Sequence, residues 1–382
     1  MFGNRRSLIT ITITAILAIW GGVILSQRIS AIGPQNRPAI HLNAKQELGK
    51  AIFFDTALSS PEGMSCSTCH TPAVGFSDTL SRMTSEGAVK GLFANRNSMS
   101  ACYTMYIPSL HLSKKDGSWV GGLFWDGRAR SLADQASKPF VNPLEMHCSN
   151  DISVAEKVKT RPYFTQLLAL YRNPKGDEAI FKCITDALAA YKSSPELNPF
   201  SSKFDAVQAG KSLFTAQEQN GLDLFKGKGK CAQCHVTTND PKAHKVLFTD
   251  HTYDNLGIPR NEHNRFLDMP PVHNPEGHRY VDLGLGPIVK DPMQNGKFRV
   301  PTLRNIALTA PYGHNGYFNT LEEIVHFYNV RDDGKTYPHP EYPATVNHDE
   351  MGNLGLTPAE EADIVSFLKT LTDGYTPAQD KQ

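Results

Sequence analysis

Two stretches carry residue types and spacing suited to a defined chemistry: Cys66-Ser67-Thr68-Cys69-His70 and Cys231-Ala232-Gln233-Cys234-His235. Both read C-x-x-C-H, the spacing that attaches c-type haem. Two thiols add across the two vinyl groups of one haem, and the adjacent histidine supplies the proximal nitrogen to iron. A zinc site built from two cysteine pairs would not need a histidine directly after each. The two copies therefore predict two haem c groups, with Cys66, Cys69, Cys231 and Cys234 as attachment points. His70 and His235 are the expected iron ligands.

The flanks repeat as well. Gly49-x-x-x-Phe53 precedes the first motif and Gly221-x-x-x-Phe225 the second; Phe76-Ser77-Asp78 follows the first and Phe248-Thr249-Asp250 the second. Further on, Asp126-Gly127 with Ser131-Leu132 echoes Asn315-Gly316 with Thr320-Leu321. The pattern is an internal duplication of a unit longer than common solenoid periods. It predicts a mostly α protein of two cytochrome c-like domains, each binding one c-type haem, with long loops. The expected division is 1–38 as an N-terminal segment with its linker, 39–197 as the first haem domain and 198–382 as the second.

Around these motifs stand the elements that must position them. Asn43 to Gln46 and Thr215 to Glu218 are capping boxes opening the helices before the two motifs. Ser131 opens another helix, and residues 152–192 read as a helical run with Ile180, Ile184, Leu188 and Tyr191 near helical spacing. Residues 78–124 and 236–300 are loop-rich, the expected wrapping of a cofactor. Thr320 caps a helix reaching about Tyr328, and Thr357-Pro358-Ala359-Glu360 opens the last helix. Residues 193–204, with two prolines, read as a linker between the domains.

The 382 residues carry a formal net charge of +1 and no long block of like charge, which gives no support to nucleic acid as a partner. Of seven cysteines, Cys102, Cys148 and Cys183 lie outside the haem motifs. Buried free thiols and a Cys148–Cys183 bridge are both open readings. Residues 8–25 form an uncharged apolar run behind Arg5 and Arg6, close to the length of about 20 residues that spans a bilayer. An uncleaved inner-membrane anchor and a cleaved signal peptide both fit, and either places the body outside the cytoplasm.

With these motifs in view, the chain resembles the bacterial di-haem cytochrome c peroxidase family over roughly residues 40–372. The most specific stretches are Phe124-Trp125-Asp126-Gly127-Arg128, Gln135-Ala136 with Pro139, and Asn142-Pro143-Leu144-Glu145-Met146. Val300-Pro301-Thr302-Leu303-Arg304-Asn305 and Pro311-Tyr312-Gly313-His314-Asn315-Gly316 complete them. The resemblance implies a peroxide-reactive first haem, an electron-transferring second haem and periplasmic residence. It makes Trp125 the tryptophan between the haems, and Gln135, Pro139 and Glu145 residues of the open face of the first. A carboxylate there can move a proton between the peroxide oxygens. By residue type alone, Glu145 also reads as a helix-end carboxylate.

Two departures refine the expectation. Peroxidases of this family carry a histidine after the first motif that closes the first iron, whereas residues 71–110 here contain none and His111 lies past the matching segment. Where peroxidases place a methionine ligand for the second haem, this chain has Tyr328. That pattern looks like the MauG-like, protein-modifying branch. A hard, anionic tyrosinate favours high iron oxidation states, whereas methionine raises the potential. Met293 and Met351 remain alternative ligands. The family's calcium site maps onto the Asn97 side chain and the Arg299 and Pro301 carbonyls. His314 is expected to support the second haem, and His244, His251, His263, His273, His278 and His339 to be exposed or near propionates. The expected function is oxidation of a periplasmic partner protein by hydrogen peroxide, at Trp or Tyr. Peroxide detoxification fed by an electron-donor protein and non-catalytic electron carriage are the alternatives.

Overall fold

Helices begin where the sequence supplies caps. In the computed structural model, which describes residues 40–78 and 83–377, Asn43 caps α1 (Ala44–Phe53) in a full capping box with Gln46. The short α2 (Cys66–Cys69) carries the first haem motif. Ser131 caps α3 (Leu132–Val141) through the Asp134 N–H. Three helices follow: α4 (Asp151–Lys159), α5 (Phe164–Leu170) and α6 (Asp177–Lys192). The single run expected over 152–192 is thus broken twice, beside Pro162 and at Pro174-Lys175-Gly176, where proline removes a helix donor and Gly176 turns at φ 82°.

The second half repeats the scheme. After α7 (Lys203–Gln208), the capping box of Thr215 and Glu218 opens α8 (Ala216–Lys226). The one-turn α9 (Gly286–Val289) interrupts the long loops. Thr320 caps α10 (Leu321–Val330), and Thr357 with Glu360 caps α11 (Pro358–Lys369). Strand content among the described residues is two antiparallel pairs, β1 (His111–Leu112) with β2 (Trp119–Val120) and β3 (Tyr253–Asp254) with β4 (Phe298–Arg299). The architecture is mostly α with long loops.

Two helix crossings anchor it. A Cβ on Gly49 of α1 would lie 1.9 Å from the Ala187 carbonyl of α6; a Cβ on Gly221 of α8 would lie 1.9 Å from the Asp363 carbonyl of α11. Glycine lets the backbones touch at both places. Residues 40–382 form one compact unit. Its apolar core has two main clusters, one including Ile52, Phe53, Ile184 and Leu188, the other Phe225, Phe248, Ile364 and Phe367. Leu247 joins the first cluster while its neighbours Val246 and Phe248 join the second. Residues 1–39, including the proposed span at 8–25, lie outside the described residues. No helix among the described residues is long and apolar enough to cross a membrane.

Candidate functional site

Each C-x-x-C-H opens onto its own cavity, about 180 Å³ for the first and about 210 Å³ for the second, far larger than a site for one water. In both, the histidine is oriented by the same device. His70 Nδ1 donates to the Phe76 carbonyl at 3.1 Å, and His235 Nδ1 to the Phe248 carbonyl at 2.9 Å. Phe76 and Phe248 hold left-handed conformations, φ 54° and 55°, in matching positions of the repeated Phe-Ser/Thr-Asp motif. The bond fixes the tautomer and leaves Nε2 as the ligating nitrogen. Burial pushes the His235 imidazole down to about 4 and lowers that of His70 as well. Both rings are therefore neutral at pH 7, the form that binds metal.

The first cavity gathers Gln135, Pro139 and Glu145 with Cys66, Cys69 and His70. Desolvation raises the Glu145 carboxyl, against the opposing Arg128 charge and a 2.8 Å bond from Asn142 Nδ2. A carboxyl so placed can hold or release a proton. Lys192, which motif reasoning did not single out, also lines this cavity and donates to Gln135 Oε1. Its signal was faint: a lysine in the last turn of a helix normally reads as a solvated end.

Trp125 lines both cavities, as do Asn97 and Arg299. Its indole donates to the Asn97 carbonyl at 2.9 Å, and its own carbonyl accepts from the Arg299 N–H. Beside it, Asp126 accepts from Arg96 at 2.6 Å, and Arg96 in turn clamps Asp282. The Arg299 guanidinium is buried and reaches only carbonyls and the Met99 sulfur among the described residues. Of the two readings the sequence leaves for His251, exposed or near a propionate, the structure removes the first: the ring is buried on the second cavity with both nitrogens unpaired among the described residues. A buried cation and an unpaired imidazole facing these cavities suit a ligand with an anionic, hydrogen-bonding edge, as haem propionates provide. The thiol pairs, the anchored histidines and these groups together fit haem c in both places.

Tyr328 lines the second cavity with Cys231 and His235; its carbonyl accepts from the Gly352 N–H at 2.7 Å, and its phenol has no hydrogen-bond partner among the described residues. Burial pushes its phenol above the ordinary range. Counting from the caps, Ser131 to Pro139 and Thr320 to Tyr328 are the same step, so Pro139 and Tyr328 hold equivalent positions on α3 and α10. Met351 also reaches the second cavity, whereas Met293 is 68% exposed and lies off it. His111 is exposed on β1, away from both cavities. His314 stacks on Phe298 at 3.7 Å and bonds Glu341 at 3.1 Å.

For calcium, Asn97 donates its amide N–H to the Met83 carbonyl, which leaves its Oδ1 to accept, and Asn97, Arg299 and Pro301 all line the second cavity. Three neutral oxygens would need waters to complete the six to eight ligands calcium takes. Cys102, Cys148 and Cys183 are buried free thiols, with no Cys148–Cys183 bridge.

Comparison with known proteins gives a consistent result. The family model for di-haem cytochrome c peroxidase matches residues 43–213. The methylamine utilization protein MauG of Paracoccus denitrificans is 36% identical over 89% of this chain and 90% of its own. Cytochrome-c peroxidase IdrP1 of Denitromonas iodatirespirans is 32% identical over 86% of this chain and 81% of its own. The crystal structure of the diheme peroxidase BthA from Burkholderia thailandensis superposes with a TM-score of 0.77 at 32% identity, covering 87% of this chain and 86% of that one.

Proposed function

The chain belongs to the di-haem cytochrome c peroxidase family, and on that premise we propose that it uses hydrogen peroxide to oxidise a partner protein. The proposed targets are Trp or Tyr side chains, and the proposed location is the periplasm, with residues 8–25 as anchor or signal. Residues 39–197 and 198–382 are each taken to hold one haem, a division supported by the two core clusters and their cavities. When bound, the haems supply the iron that reduces peroxide and stores the oxidising equivalents.

The protein's part is positioning. Glu145 moves a proton from the near to the leaving oxygen of peroxide, and Gln135 holds the molecule by hydrogen bonds. Pro139 keeps the open face free, because its side chain has no ligand atom. Trp125, on the wall shared by both cavities, passes electrons between them. Tyr328 is assigned as the second ligand of the second iron. Asn97, Arg299 and Pro301 are retained as a calcium proposal.

The observation that carries the reading is Tyr328 on the second cavity, in the position that Pro139 occupies on the first. A phenolate there stabilises oxidised iron until a distant side chain gives up its electrons. Met351 on the same cavity favours the second reading, a peroxide-detoxifying cytochrome c peroxidase. Steady-state turnover with reduced cytochrome c separates the two. Slow turnover, with peroxide-dependent Trp or Tyr oxidation in a co-purified partner seen by mass spectrometry, is the expected result. Rapid oxidation of the cytochrome would transfer the chain to the second reading.

A further inference from the structure

The two halves are built alike, so their differences at equivalent positions mark what each cavity does. The glycine crossings give the register of the closing helices: Gly49 meets Ala187 and Tyr191, and Gly221 meets Asp363 and Phe367. Lys192 is therefore the counterpart of Leu368. Counting from the caps, Gln135 is the counterpart of Ile324. All four side chains line their cavities. The second cavity has an apolar Ile324 and Leu368 where the first has Gln135 and Lys192, joined by a hydrogen bond.

An ammonium in this place is costly. Lys192 is 7% exposed, and no carboxylate pairs with it among the described residues. Burial lowers its pKa to about 8. A buried ammonium is normally paired; among the described residues Lys192 is bonded to Gln135 and Glu145, on the same cavity, to Asn142, so the place beside Lys192 suits a bound anion. A propionate is one source, but Lys192 acts on Cys66, whose thiol would hold the vinyl side of a haem, and a haem carries its propionates on the other side. The cations suited to propionates lie elsewhere, Arg299 on the wall between the cavities.

We propose that Lys192 and Gln135 form an anion-holding wall of the first cavity that binds the hydroperoxide anion. Hydrogen peroxide loses one proton to the Glu145 carboxylate, and the resulting anion is held by the Lys192 ammonium while Gln135 keeps that ammonium in place. This deepens the proposed reaction of peroxide at the first haem and rests on it.

The test uses the haem-loaded protein and sodium azide as a stable anion, with carbon monoxide on the reduced protein as a neutral control. Both are read from the absorption spectrum of the first haem. Lys192→Leu, which copies Leu368, should weaken azide binding about tenfold or more, the loss expected for a charge-assisted bond. Carbon monoxide affinity should stay within about twofold, and Lys192→Arg should keep azide affinity within about threefold. If Lys192→Leu does not load haem, Lys192→Gln makes the same comparison. An unchanged azide Kd, or equal loss of azide and carbon monoxide, overturns the inference and leaves the proposed function standing. Conversion of the first haem from low to high spin in Lys192→Leu would make the lysine an iron ligand and also overturn it. A wild-type first haem that takes no azide would remove both the open-face reading and this inference.

Discussion

Proline and tyrosine occupy one helix position in the two halves, Pro139 on the first cavity and Tyr328 on the second. If Tyr328 ligates the second iron, Tyr328→Phe should alter the low-spin signals of that haem and leave the first haem unchanged. Met351→Leu should be silent in the same electron paramagnetic resonance spectra, and so should Met293→Leu, whose side chain is exposed and off the cavity. A silent Tyr328→Phe with an altered Met351→Leu would give the ligand to sulfur. Glu145 carries a separate expectation. Glu145→Gln keeps the shape and the Asn142 contact but cannot shuttle a proton, so stopped-flow reaction with peroxide should slow about 10²- to 10⁴-fold with both haems retained. An unchanged rate would assign Glu145 to structure. At this scale the sequence was informative because haem attachment imposes a fixed spacing, and the flanking motifs carried Trp125, Gln135 and Glu145. Lys192 was not legible. Nothing in its sequence context distinguishes a lysine turned into a cavity from one in water at a helix end, and only the register against Leu368 gives it meaning.

The repeated Gly-x-x-x-Phe before each motif was legible as a repeat, but its cause lies in another element. Gly49 and Gly221 are crossing points where the helix before the motif touches the helix that closes the same half. In an isolated helix, Gly→Ala gains about 1 kcal/mol. Here the new methyl would sit 1.9 Å from the Asp363 carbonyl for Gly221→Ala, so α8 must move off α11. The net effect should be a loss of roughly 1–3 kcal/mol, the usual cost of overpacking. Thermal unfolding of the haem-loaded variant should show a lower Tm, and a raised Tm would mean the crossing is looser than its geometry. Capped helices were well anticipated, since a cap and its bonded N–H are three residues apart and visible locally. The run at 152–192 was not, because apolar periodicity persisted across the breaks while Pro162 and the Pro174-Lys175-Gly176 turn ended the hydrogen bonding.

For the molecule as a whole, the duplication predicts two haem additions by intact-mass measurement, and Cys231→Ala with Cys234→Ala should remove one of them; retention of both would refute the attachment sites. The way the loops hold the halves together was beyond sequence reasoning, because its contacts are distant along the chain. Arg96 follows the first motif, yet it bonds Asp126 beside Trp125 and takes Asp282 from the second half with two bonds of 2.6 and 2.7 Å. Asp282 is buried, and although desolvation raises its carboxyl, the Arg96 charge and hydrogen bonds outweigh that and bring it down to about 2. A carboxyl depressed on folding contributes stability above its unfolded value near 4, and that contribution is lost as pH falls through about 2. A shift from 3.8 to about 2 corresponds to roughly 2 kcal/mol at neutral pH. Asp282→Asn should therefore lower Tm at pH 7, where Arg96 keeps only Asp126. The gap between variant and wild type should narrow steadily below pH 4, where the carboxyl of the unfolded chain takes up a proton while the native one, held near 2, is still ionised. A gap that stays constant from pH 7 to pH 3 would show that Asp282 contributes shape and hydrogen bonds, and that its charge does not fasten the two halves.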